Sequence, residues 1–136
     1  MAKATKVNHV AIVVSDIEQG LNFWRDQLGL HFDHVEDVPS QKVEVAFLHV
    51  GESHVELVKP TTDDSGTAKF LAEKGPGIHH LCIEVDDIDS MLADLKQKGV
   101  RLIDETAREL PGRKMAFIHP KATGGVLLEL YQLTGK

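Results

Sequence analysis

The sequence predicts an α+β protein made of two copies of one β-α-β-β-β module, whose strands form a cup-shaped, partly open mixed sheet. Three observations carry that expectation. The chain repeats itself at a nearly fixed offset, each copy opens with a strand followed by an amphipathic helix, and three short strand-like runs follow each helix. A chain of 136 residues, 42% of them apolar, is long enough for one domain with a real core. The expected organisation is a single domain over 1–136, with module one at about 7–60, a linker at about 61–76 and module two at about 77–134.

The repeat is legible residue by residue. "VNHVAIVVSDI" lies over "IHHLCIEVDDI" at an offset of 71, which pairs His9 with His80 and Asp16 with Asp87. "AFLH" (Ala46 to His49) lies over "AFIH" (Ala116 to His119) at 70, and "VEL" over "LEL" at 73, which pairs Glu56 with Glu129. Offsets that drift by a few residues are what loop insertions between equivalent strands produce.

The elements follow in order. In the first copy, "SDIE" has the Ser-x-x-Glu form of a capping box, Ile17, Leu21, Trp24 and Leu28 recur at helical spacing, and Gly29 supplies the stop. In the second, Asp86 or Asp87 caps, Ile88, Met91, Leu92 and Leu95 form the stripe, and Gly99 ends it. Strands are expected near His31 to Val38, Val43 to His49 and His54 to Lys59, then near Val100 to Asp104, Lys114 to His119 and Val126 to Gln132. Between the copies, "SGTAKFLAEKGPG" reads as a short helix closed by a Gly-Pro-Gly turn.

Composition narrows the function. A net charge of −6 argues against nucleic acid or an anionic membrane as the main partner. The chain has no run of 18 apolar residues, so the reading is a soluble, cytoplasmic protein. The single Cys82 rules out an internal disulfide and any Cys-rich zinc site, leaving nitrogen and oxygen ligands for a metal.

Strand alternation then selects residues. Val10, Ile12 and Val14 share the face expected to take the helix, with His9, Ala11 and Val13 opposite. In the copy, Leu81, Ile83 and Val85 take the helix side, which leaves His80, Cys82 and Glu84 opposite and selects His80 over His79. Glu56 and Glu129 are charged residues inside otherwise apolar runs, where a carboxylate is costly to bury without a partner. Two histidines and two glutamates related by the repeat make a set of four N/O ligands for one divalent cation of the Mn, Co, Ni or Zn type. His54, two residues before Glu56, is a competing ligand or a supporting group; Cys82 lines the same face. His31, His34, His49 and His119 lack the pairing logic and are read as structural or exposed.

These residues carry a resemblance. The doubled module with His and Glu at repeat-related strands resembles the vicinal oxygen chelate (glyoxalase/bleomycin resistance/dioxygenase) superfamily. Within it, "HVAIVV", "VELVKP", "GIHHLCIEVDDID" and "AFIHPKATGGVLLEL" are similar to the methylmalonyl-CoA epimerase family over nearly the whole chain. The resemblance implies a metal-dependent, homodimeric isomerase that interconverts (R)- and (S)-methylmalonyl-CoA by proton transfer at C2. Its metal ligands fall on His9, Glu56, His80 and Glu129, with Co2+ the first expectation and Ni2+, Mn2+ or Zn2+ as alternatives. The position of Glu56 is glutamine in some members. The proposed base falls on Glu44, with Glu129 as its partner on the opposite face of the substrate. Lys42, Lys59, Arg113, Lys114 and Lys121 are candidates for the CoA phosphates, and the sequence does not choose among them. The rival readings are glyoxalase I (lactoylglutathione lyase) and a non-catalytic ligand-binding protein of the same fold.

Overall fold

The computed structural model describes residues 2–135; Met1 and Lys136, the ends of the expected domain, lie outside the described residues. The chain divides into two compact units, His9–His79, and Met1–Asn8 together with His80–Lys136.

The first unit takes up β1 (Ala4–Val13) from His9 onward, then α1 (Ile17–Leu21), β2 (His31–Val38), β3 (Val43–Val50), β4 (Ser53–Pro60) and α2 (Gly66–Lys74). Its strands lie in the order β2-β3-β4-β1. β2, β3 and β4 are antiparallel neighbours, while β1 runs parallel to β4 with Ala11 opposite Glu56 and Val13 opposite Val58. The helix-facing core joins Val14, Ile17, Leu21, Ala46, Leu48 and Leu57. On the other face, Ala11, Val43, Val45 and Val58 form a second buried cluster. α1 sits close to the sheet because Gly20 has no side chain: a Cβ there would stand 2.9 Å from Leu57 Cδ1.

Two details of α1 differ from the expectation. The cap is Asp16, which accepts from Gln19 N at 2.8 Å, rather than Ser15. The helix begins one residue later than the Ser-x-x-Glu pattern suggests, and a carboxylate at the new N-cap reaches the third helical N–H equally well. After Leu21 the chain widens into a π-helical turn over Asn22–Gln27, with Leu28 N donating to Phe23 O at 2.7 Å. The extra residue in that turn shifts the phase of the stripe. Trp24 stays against the core, while Leu28, expected inside, is 52% exposed.

The second unit contains β5 (Gly77–Val85) from His80 onward, α3 (Ile88–Gln97), β6 (Arg108–Leu110), β7 (Arg113–Ile118) and β8 (Leu128–Leu133). The order is β5-β8-β7-β6, with β5 parallel to β8 and the outer pairs antiparallel. This repeats the topology of the first unit. The segment expected as a strand at Val100 to Asp104 forms only an isolated bridge, Leu102 to Ile118, and the short β6 follows later. Leu102 packs into the core, Ile103 N donates to Phe117 O at 3.0 Å, His119 N donates to Arg101 O at 3.1 Å and Asp104 accepts from Phe117 N at 2.8 Å, so a short stretch of backbone bonds and one carboxylate hold the segment to β7. The start of the chain also belongs to this unit: Lys3 N donates to Asp86 Oδ1 at 2.8 Å and Asn8 Nδ2 to Glu84 Oε1 at 3.1 Å.

The core of the second unit joins Val85, Ile88, Leu92, Ala116, Ile118 and Leu130. These are the repeat partners of the six core positions in the first unit, taken one for one at offsets of 71, 70 and 73. α3 is capped by Asp87, the partner of Asp16, which accepts from Ser90 N at 3.1 Å.

Candidate metal centre

Each unit holds one histidine–glutamate pair on two parallel strands. In the first, β1 carries His9 and β4 carries Glu56, and His9 Nδ1 lies 3.2 Å from Glu56 Oε2. The two side chains are 5% and 17% exposed. In the second, β5 carries His80 and β8 carries Glu129, and His80 Nε2 lies 3.0 Å from Glu129 Oε1 with exposures of 14% and 8%. The local cause is the same in both. A parallel ladder sets side chains of matching phase side by side, and the apolar runs on either side keep water off them.

The surroundings also repeat. Phe117 stands opposite Glu129 and meets the His80 ring edge-on at 5.6 Å; Phe47 stands opposite Glu56 in the first unit. Where β1 has Ala11, β5 has Cys82, fully buried and opposite Glu129, with its sulfur and a Glu129 carboxylate oxygen within 4.8 Å.

A buried carboxylate needs a cation or hydrogen-bond donors beside it. Each pair offers an imidazole nitrogen and a carboxylate oxygen, donor types that suit a divalent first-row cation. The residues therefore fit the metal that the sequence implies.

The other expected residues fall as follows. His54 is in phase with Glu56 and is the ladder neighbour of His9. Glu44 stands on β3 opposite Lys59 and Asp37, in phase with Ala46 and Leu48, whose side chains belong to the core under α1. Strict alternation therefore sets Glu44 on the face away from Glu56. Among the candidate phosphate contacts, Lys42 Nζ pairs with Asp64 at 3.2 Å, and Lys114 Nζ pairs with Asp89 at 2.7 Å. The hydrogen bond that Lys114 donates to Asp89 raises the Lys114 pKa above its usual value. The Arg113 guanidinium lies over the Tyr131 ring at 5.6 Å, and its Nε is buried with no acceptor among the described residues. Sequence reasoning passed over one group. His31, His49 and His54 fall in one row across β2, β3 and β4, a placement that depends on hairpin register and becomes visible only by pairing residues outward from each turn.

Comparison with known proteins identifies the family. Residues 8–117 match the family model described as the Glyoxalase/Bleomycin resistance protein/Dioxygenase superfamily. The chain is 42% identical over 132 residues to the mitochondrial methylmalonyl-CoA epimerase of Mus musculus, covering 96% of this chain and 74% of that protein. Among solved structures, methylmalonyl-CoA epimerase from Mycobacterium tuberculosis superposes with a TM-score of 0.87 at 38% identity, over 96% of this chain and 89% of that one. A methylmalonyl-CoA epimerase in complex with methylmalonyl-CoA and NH4+ gives 0.88 at 33% identity, over 97% and 96% of the two chains. A probable lactoylglutathione lyase of Synechocystis stands further off, 30% identical over 94% of this chain and 95% of its own. The α+β fold expected from the repeat is the fold of these structures. The chain belongs to the glyoxalase/bleomycin resistance protein/dioxygenase superfamily and, within it, to the methylmalonyl-CoA epimerase family.

Proposed function

We propose that this protein is an epimerase that interconverts (R)- and (S)-methylmalonyl-CoA by moving the proton at C2, and that His9, Glu56, His80 and Glu129 together hold one divalent cation. The carrying observation is the pair of buried His–Glu contacts, at 3.2 and 3.0 Å, on repeat-equivalent strands of a chain from this family. Co2+ is the first choice on the resemblance, with Ni2+, Mn2+ and Zn2+ as alternatives of the same donor preference. Such a cation, when bound, supplies Lewis acidity toward the negative charge that develops as C2 loses its proton.

The protein's own residues have a narrower task. Inversion requires a proton removed on one face of C2 and delivered on the other, so two acid/base groups are the minimum. Glu129 is one candidate, placed by β8 beside His80. Glu44 is the other; its support is the resemblance alone, since its strand phase sets it with Ala46 and Leu48. For the CoA phosphates, Arg113 is favoured over Lys42 and Lys114, whose ammonium groups are engaged with Asp64 and Asp89. The homodimer and the cytoplasmic location belong to this proposal too. Exposed Ile78, Val126 and Leu133 provide apolar surface for a second copy, and no helix among the described residues is long and apolar enough to cross a membrane.

The deciding experiment follows methylmalonyl-CoA by proton NMR in D2O with the protein stripped of metal and then reloaded with Co2+. Deuterium is expected at C2 only in the loaded protein. No exchange with any of the four cations sinks the epimerase reading and turns attention to glutathione hemithioacetals or to binding without turnover.

A further inference from the structure

The side of the second unit's sheet that carries Glu129 also carries two arginines. Arg108 on β6 stands opposite Met115 on β7, and Leu110 opposite Arg113; Met115 and Phe117 stand in turn opposite Tyr131 and Glu129 on β8. By strand alternation Arg108, Arg113, Phe117, Glu129 and Tyr131 share one side of the sheet. The contacts agree. The Arg108 guanidinium lies over the Phe117 ring at 5.8 Å, and that of Arg113 over the Tyr131 ring at 5.6 Å. A ring beneath a guanidinium attracts its charge and leaves the N–H groups at its edges to other acceptors.

The fold does not ask for either arginine. Val43 and Val45 are the repeat partners of Arg113 and Met115, and Glu36 stands opposite Val45, so the first unit has Glu36 in the place of Arg108 and Val43 in that of Arg113. The ring equivalent to Phe117 is Phe47, which stacks with His34, and the two nitrogens of His34 meet Asp33 and Glu36 at 2.6 and 3.2 Å. The same corner of the sheet is acidic in one unit and basic in the other.

Both arginines have an edge to offer. Arg113 has no ion-pair partner among the described residues. Arg108 donates through Nε to Asp104 Oδ1 at 3.0 Å, which uses one of five N–H bonds and leaves the outer, two-pronged edge that matches a phosphate group. The Arg108 side chain is half exposed. The separations from Glu129 fit as well. Arg113 is one strand across and four residues along, roughly 14 Å, and Arg108 two strands across and two residues along, roughly 12 Å. The arm of a CoA thioester from sulfur to the first phosphorus has about thirteen bonds, the length of roughly four residues of extended chain, or roughly 15 Å.

We propose that Arg108 and Arg113 form the subsite for the diphosphate of a CoA thioester whose acyl end lies at Glu129. The inference rests on the methylmalonyl-CoA reading above and assigns to the second unit the residues that hold the distal, anionic part of that substrate. Each guanidinium donates to phosphate oxygens through its outer edge, and Phe117 and Tyr131 hold the two forks in position.

Calorimetric titration of the full chain with acetyl-CoA, with its dephospho form, which lacks the 3′-phosphate, and with S-acetylpantetheine, which has no phosphate, tests the subsite without turnover. Arg108→Gln and Arg113→Gln are each expected to bind acetyl-CoA about 10- to 100-fold more weakly than the wild type, the range for losing a hydrogen bond to a charged group. The same loss is expected with the dephospho form and none with S-acetylpantetheine. Variants that bind acetyl-CoA as tightly as the wild type overturn the proposal. So does a loss confined to the ligand with the 3′-phosphate, or one equally large with S-acetylpantetheine. Should Arg113→Gln not fold, Arg108→Gln at its half-exposed position decides alone. A wild type that binds acetyl-CoA through these arginines and exchanges no C2 proton in D2O keeps the subsite and sinks the epimerase reading; proton exchange in a protein whose variants bind as the wild type does keeps the epimerase reading and sinks the subsite.

Discussion

The two units solve one packing problem twice and diverge where packing stops. Six core positions correspond one for one, from Val14 and Val85 to Leu57 and Leu130, and each core lies under a helix that starts one residue past an aspartate cap. The histidine and glutamate of each pair correspond as well. The differences collect at the edges. β2 has eight residues and a bulge, while β6 has three residues and leaves an isolated bridge behind it. α3 is regular, whereas α1 gives way to a π-helical turn. Buried positions are constrained by many neighbours at once and drift little; edge strands are constrained on one side and tolerate insertion and loss. That the His–Glu pairs group with the cores is an argument for function, since apolar residues would fill those slots at lower cost.

The largest expected effect breaks the equivalence at the site. His9→Ala and His80→Ala each lose the bound metal and fall to background epimerisation, more than about 100-fold down, because a directly coordinating residue costs more than a supporting one. Elemental analysis and C2 exchange are read together. A variant that holds as many ions per chain as the wild type removes that histidine from the ligand set.

Glu44→Gln sharpens the comparison from a position with no counterpart in the ligand set. It is expected to keep its metal and to slow proton exchange by about 100- to 10,000-fold, the usual range for losing a general base. Near-normal turnover would leave Glu44 as a residue of the outer face, where its alternation with Ala46 and Leu48 sets it.

The cores give the third test. Leu57→Ala and Leu130→Ala remove repeat-equivalent side chains that are 0% and 4% exposed. Each should cost about 2 to 5 kcal/mol in denaturant unfolding. If one costs less than about 1 kcal/mol, the two cores are not equivalent in energy, whatever their positions.

Much of this was legible in the chain because apolar periodicity and an internal repeat report burial, and burial dominates both core and site. The repeat located the modules, and alternation chose His80 over His79 before any coordinates. What escaped depends on local geometry that spacing does not encode. The π-helical turn moved Leu28 outward although its spacing was right, and the strand expected at Val100 to Asp104 shrank to a bridge beside which the Asp104 carboxylate takes the Phe117 N–H. The row of His31, His49 and His54 needed hairpin register, which depends on turn length. Glu44 entered by resemblance, and its strand phase with Ala46 and Leu48 makes Glu44→Gln the test of that role.

The smallest predicted effect lies at the helix caps and depends on pH. Asp87 accepts from the backbone N–H and the hydroxyl of Ser90, and the backbone hydrogen bond is the larger cause of its pKa falling below the usual carboxylate value. The folded state therefore favours the ionised form. The resulting stability is present above the unfolded pKa, near 3.9, and is lost as the pH falls through the lower folded value. Asp87→Ala should lower Tm at neutral pH by less than either leucine variant, and the gap from wild type should shrink as the pH drops below about 4. A gap that stays constant down to strongly acidic pH would mean that the helix start is held by the Ile88 and Leu92 packing and by Gln132 Oε1 accepting from Ile88 N at 2.8 Å, with the aspartate charge contributing nothing.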